Sequence, residues 1–139
     1  MHKQPRGFTL VELVVVIMIL GILAGVAAPK LLGTSSTATE NGLKQTLSVV
    51  RDAIELYAAQ NAGALPPATD DATFKASLAN FLRGDFPKCP VGKKDSTVTI
   101  IATAAVADNA TGWMYSTLDG TFICNATGND SKSVAYSTY

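Results

Sequence analysis

Histidine is all but missing from this chain of 139 residues: the one copy is His2, ahead of a long apolar run. That excludes a Ser-His-Asp triad, a Cys-His pair and a histidine-rich metal site from the body of the protein. Cysteine is scarce too, and Cys89 and Cys124 cannot build a four-thiolate zinc site. Charged residues make up 16% of the chain, eleven basic against eleven acidic. With no basic excess there is no electrostatic footprint for nucleic acid. Histidine so often serves as acid or base that its absence argues against an enzyme. Reviving one would need a pocket around Asp70, Asp71 and Asp85.

The charge is missing mainly from one place. Phe8–Ala28 holds a single charged residue, Glu12, and a single hydroxyl, Thr9; the rest is apolar or glycine. At about 1.5 Å per residue, a helix of this length spans roughly 30 Å, the thickness of a hydrocarbon core. Met1–Gly7 ahead of it is short, polar and basic, with Lys3 and Arg6. Such charges hold their end of a span on the cytoplasmic side. A conventional secretory signal fits poorly, because a cut after Ala28 leaves Pro29 directly behind it and Glu12 inside the apolar region. A plain anchor leaves Glu12 unexplained, since a carboxylate within a span costs about 3 kcal/mol and normally has a partner.

Gly7-Phe8-Thr9-Leu10-Val11-Glu12, behind a short basic leader and opening an unbroken apolar stretch, resembles the processing site of type IV pilins and type II secretion pseudopilins. Farther along, the order Pro66-Pro67, short helix, Phe86-Pro87-Lys88-Cys89-Pro90, then Gly112-Trp113-Met114-Tyr115, turn and strand looks most similar to major pseudopilins. The resemblance implies that a membrane prepilin peptidase cuts after Gly7 and methylates the new Phe8 amine. It also implies that Phe8, Thr9, Leu10, Val11, Glu12 and Pro29 serve assembly, with Glu12 of one subunit pairing with the Phe8 amine of a neighbour. The residue chemistry agrees: Gly7 has no side chain to obstruct a protease subsite. An unpaired amine or carboxylate in an apolar filament interior is costly, so pairing them penalises wrong registers. Losing the leader removes His2, Lys3 and Arg6 together.

The function implied is a structural filament subunit rather than an enzyme, held in the bacterial inner membrane with its carboxy-terminal domain in the periplasm. It would assemble into a type II secretion pseudopilus. The alternatives are the major pilin of a surface pilus and, from another class, a single-pass binding module that never polymerises. Implied partners are copies of itself in a helical filament, the prepilin peptidase/methyltransferase, an inner-membrane assembly platform, minor pseudopilins and the lipid bilayer. No nucleic acid is expected.

Four segments follow: leader 1–7, apolar helix 8–29, amphipathic stem 30–60, and a small globular domain 61–139. Gly21, Gly25 and Ala28 share a face that permits close helix contact, although glycine is also simply tolerated in membrane helices. Pro29 is expected to bend or locally open the helix. In the stem, Leu43, Leu47, Val50, Ile54 and Tyr57 are spaced 4, 3, 4, 3, an amphipathic stripe. Glu40 and Lys44 form an i, i+4 pair in the favourable orientation. One helix is expected from about Phe8 to Gln60, stopped by Asn61–Pro67. Asp70 or Asp71 is expected to cap a short helix over about 71–83, ended by Gly84, with Phe74, Leu78, Phe81 and Leu82 inward. Strands are expected at Thr97–Thr103, Trp113–Thr117 and Thr121–Asn125, the last two joined at Leu118-Asp119-Gly120. The expected fold is α+β and pilin-like: a long helix packed on a small antiparallel sheet.

Cys89 and Cys124 would lie outside the cytoplasm, where disulfides persist. A bridge closes a loop of about 35 residues, worth roughly 4 kcal/mol on a chain-entropy account; the alternative is two buried thiols. No cofactor is certain. The resemblance makes calcium a candidate, with hard oxygens from Asp119, Asn125, Asn129 and Asp130, although the acidic carboxy-terminal signature usual in major pseudopilins is not evident. These residues are equally plain turn formers. Asn109, Asn125 and Asn129 also match the glycosylation sequon, which a bacterial context makes chance matches.

Overall fold

The computed structural model describes residues 7–139, together with all side chains in that range except those of Leu31 and Leu32; most of the expected leader, residues 1–6, lies outside the described residues. The chain divides into two compact units, one running to Ser35 and the other Ser36–Tyr139. Helix α1, Leu10–Gln60, contributes to both and continues through Pro29 without interruption.

In the second unit the apolar stripe of α1 is buried. Leu43, Leu47 and Val50 are almost wholly shielded, with Ala53 and Ile54 beside them. The helix stops where Ala62 and Gly63 adopt left-handed backbone angles and the Gly63 N–H donates back to the Ala58 carbonyl. Helix α2, Asp71–Leu78, is capped by Asp70, whose carboxylate accepts from the Thr73 N–H at 2.7 Å. It is shorter than the expected 71–83. After Leu78 the chain leaves the helix, and Phe81 and Leu82 both donate to the Leu78 carbonyl in a turn.

The sheet contains β1 (Val98–Ile101), β2 (Trp113–Ser116) and β3 (Phe122–Cys124), in that spatial order. The hairpin forms as expected: β2 and β3 are antiparallel, with Trp113 opposite Cys124. Its turn uses Gly120 at φ 76° and an Asp119 carboxylate that accepts from the Thr121 N–H.

The expectation of a purely antiparallel sheet is corrected, because β1 runs parallel to β2, Val98 opposite Trp113. A parallel neighbour needs a return connection of about a dozen residues. Residues 102–112 supply it and are pinned by Asn125. Its side-chain oxygen accepts from the Asp108 and Asn109 N–H groups, and its amide donates to Asp108 and Thr111.

One apolar cluster joins the α1 stripe to Phe74 and Leu78 of α2 and to Trp113, Tyr115, Phe122 and Cys124 of the sheet. Phe74 stacks on Tyr115 with ring centroids 4.3 Å apart, and Trp113 tilts against Phe122 at 5.3 Å. The indole N–H of Trp113 is satisfied by the Pro87 carbonyl at 2.9 Å.

Candidate functional site

The amino-terminal segment is open to its surroundings. Gly7 is exposed, with open space where a side chain would project, and Phe8 is 85% exposed. Leu10 and Val11 are exposed in the first turn of α1, and Pro29 lies exposed within the same helix.

Glu12 has a local partner. Its Oε2 accepts from both the Thr9 N–H and the Thr9 hydroxyl at 2.9 Å, while the Glu12 N–H donates to the Thr9 hydroxyl oxygen at 3.2 Å. This is a reciprocal capping box. The Thr-x-x-Glu spacing signals it in the sequence, and a reading centred on Glu12 as a lone carboxylate misses it. Both hydrogen bonds that Thr9 donates to the Glu12 side chain fall on Oε2.

Along the same stretch the large apolar side chains from Phe8 to Val26 are all exposed, Val14 least at 42%. By length and composition α1 is long and apolar enough to cross a membrane, and none of that stretch is buried within the chain.

The carboxy-terminal candidates have separate partners. Asp119 is held below the usual carboxylate range by the Thr121 amide, and Asp130 by the Tyr139 hydroxyl followed by the Val134 amide. Asn125 is fully buried in the crossover network, which also removes its sequon from the surface. Asn129 bridges to Ala135. Among the described residues no three His, Cys, Asp or Glu side chains gather as a metal site. Of the three carboxylates that a catalytic pocket would need, Asp70 caps α2, Asp71 binds the Val98 N–H at 2.9 Å and Lys75 at 2.7 Å, and Asp85 is exposed.

The expected disulfide is not formed in this structure. Cys89 and Cys124 are buried thiols with their sulfurs 3.4 Å apart, against about 2.05 Å for a bond. The shared hydrogen bond holds the Cys89 thiol below its ordinary range, while the same neighbour and burial push Cys124 up.

Three stem residues do work that local spacing hides. The expected Glu40–Lys44 pairing gives way to longer-range contacts. Glu40, 6% exposed, accepts from the Ser131 N–H at 2.8 Å and the Ser131 hydroxyl at 3.0 Å. Lys44 instead lies 4.2 Å from the centre of the Tyr139 ring. Arg51 donates twice to the Phe122 carbonyl, at 3.0 and 2.9 Å, and also to the Tyr139 carbonyl. Together they fasten the segment 130–139 along α1, and no motif in the sequence announces these partners.

Residues 2–28 match the family described as the prokaryotic N-terminal methylation motif. The chain is similar to the type II secretion system core protein G of Klebsiella pneumoniae, 37% identical over 59 residues, which cover 42% of each chain. It is 39% identical to the core protein G of Vibrio cholerae over 70 residues, covering 50% of this chain and 46% of that one. It also resembles the type IV narrow pilus major component PilA5 of Thermus thermophilus, 36% identical over 60 residues, covering 43% of this chain and 52% of the relative. The chain thus spans about half the length, or less, of the curated relatives it matches. No solved structure gives a significant match.

Proposed function

We propose that this protein is a structural filament subunit of the type II secretion pseudopilin kind. The observation that carries the reading is the methylation motif over residues 2–28, read together with its similarity to core protein G. In this reading a prepilin peptidase cuts after Gly7 and methylates the Phe8 amine. The exposed apolar stretch up to Pro29 holds the subunit in the inner membrane, with residues 61–139 in the periplasm. An assembly platform then packs copies into a filament whose interior is made of these helices. The filament, with minor pseudopilins, promotes protein export.

The capping box gives Glu12 a role at each stage. In the stored subunit, Thr9 satisfies one oxygen of the carboxylate, which lowers the cost of keeping it at the membrane. In the filament, the Phe8 amine of a neighbour supplies the opposite charge. Such a pair adds little net stability but strongly disfavours registers that leave either charge alone.

The test is Glu12→Ala in a strain with the full assembly apparatus. The variant is expected to insert into the membrane as well as the parent and to lose most filament assembly, read by crosslinking and sedimentation. Equal assembly by both chains sinks the role given to Glu12. The similarity to PilA5 supports a second reading, the major subunit of a surface pilus. Deleting the gene separates the two: loss of exported proteins from the medium supports secretion, whereas loss of surface filaments with normal export supports the pilus.

A further inference from the structure

Cys89 and Cys124 come from elements that the fold positions without any covalent help. Cys124 ends β3 opposite Trp113, and the next residue, Asn125, donates its N–H to the Gly112 carbonyl. Cys89 begins a loop closed by its own N–H donating to the Asp95 carbonyl at 2.9 Å. The Asp95 carboxylate in turn accepts from the Thr97 and Gly112 N–H groups. Gly112 has no side chain for a reason visible here: a β-carbon there would collide first with the Asp95 carbonyl and carboxylate oxygens, and would also stand 3.1 Å from the Cys89 β-carbon. The two sulfurs are therefore delivered to 3.4 Å by backbone hydrogen bonds and one glycine, and a bond between them needs an approach of only about 1.4 Å.

The same packing seals them. Cys89 is 1% exposed and Cys124 is wholly buried, both inside the apolar cluster. Thiol–disulfide exchange requires a thiolate to meet a disulfide sulfur directly. A folded dithiol in this position offers an oxidant no access.

We propose that Cys89 and Cys124 form a folding-coupled oxidation site, in which a disulfide-bearing oxidant sets the bond while the domain closes and thereby fastens the loop 89–95 to β3. One cysteine thiolate attacks the oxidant, making a mixed disulfide and releasing one oxidant thiol. The second cysteine thiolate then attacks the protein sulfur of that mixed disulfide, expelling the other oxidant thiol. The two cysteines lose two electrons and two protons, and one disulfide is reduced to two thiols. The loop so secured carries the exposed Lys93 and Lys94. The proposal rests on the filament reading only for its compartment, since the oxidant must lie outside the cytoplasm.

The experiment uses the full chain in detergent and glutathione disulfide as the probe. The reduced chain, unfolded in urea and refolded with the probe, is expected to yield one intramolecular Cys89–Cys124 bond, 2 Da lighter than the dithiol by intact mass. The reduced chain already folded is expected to react at least ~100-fold more slowly, in line with the burial of both sulfurs. Equal rates in the two states, or glutathione adducts that never resolve to a bridge, overturn the proposal. Alkylation of the cell-derived chain in denaturant without reductant is expected to add nothing. A chain that bridges in glutathione yet takes two alkyl groups when taken from cells supports the site and places the error in the compartment, and so in the filament reading.

Discussion

Helix α1 is one continuous element with two kinds of surface. Between Leu10 and Val26 its large apolar side chains are all exposed, and its one carboxylate is met by the adjacent Thr9. Between Glu40 and Ile54 the stripe residues Leu43, Leu47, Val50 and Ile54 are buried in one cluster with residues of α2 and the sheet, and polar residues reach partners far along the chain, as Glu40 does with Ser131. A helix that is apolar on every side needs an apolar medium around it. An amphipathic one can be satisfied by its own domain. The carboxy-terminal unit is therefore held by contacts within the chain, whereas the amino-terminal stretch is left uncovered by the described residues.

The sharpest way to break this contrast is to damage one region and watch the other. Phe74 is fully buried and stacked on Tyr115. Phe74→Ala is expected to cost about 3–5 kcal/mol in denaturant unfolding of the carboxy-terminal domain, with membrane insertion unchanged by alkaline extraction. A variant that also fails to insert shows that the two regions are not independent.

A smaller effect is expected at the segment 130–139. Asp130 is held low chiefly by the Tyr139 hydroxyl and the Val134 amide. A carboxylate depressed in the folded state contributes above its unfolded value, near 3.9, and loses that contribution as pH falls through the lower folded one. Amides of Lys132 and Val134, which donate to Asp130, should lose hydrogen-exchange protection below about pH 4 while core amides keep theirs. Asp130→Asn should abolish that acid step. Protection unchanged down to pH 2 contradicts the assignment.

The smallest effect concerns Tyr115, whose hydroxyl is buried with no hydrogen-bond partner among the described residues. Tyr115→Phe removes an unsatisfied group, so stability should hold or rise by up to about 1 kcal/mol. Burial pushes the Tyr115 phenol up to about 12. The parent should therefore lose stability as pH climbs above the unfolded value near 10, and the variant should lose less. A loss above 1 kcal/mol in Tyr115→Phe at neutral pH would mean that the hydroxyl has a partner, such as a bound water.

What could be read from the residues was local. The stem's 4, 3, 4, 3 spacing, the Asp70 cap and the Asp119-Gly120 turn each declare their geometry within a few positions, and each appears in the structure. The partner of Glu40 is hidden for the complementary reason. Lys44 is its neighbour along the helix, but burial demands hydrogen bonds, and Ser131, 91 residues away, provides two. The parallel pairing of β1 hangs on Asn125 holding loop amides 16 and 17 residues back, which no strand pattern reveals. The amino-terminal signal was legible from Gly7 to Glu12. Even there, the capping role of Thr9 shows only in its three-residue spacing from Glu12.

In the proposed maturation the amino-terminal stretch is trimmed and then buried among copies of itself. Intact and amino-terminal peptide mass spectrometry of membrane-extracted protein tests it most directly. The expected chain begins at N-methylated Phe8, and a Gly7→Arg variant is expected to stay untrimmed. A chain beginning at Met1 in a host that has the peptidase, or one beginning near Pro29, contradicts it.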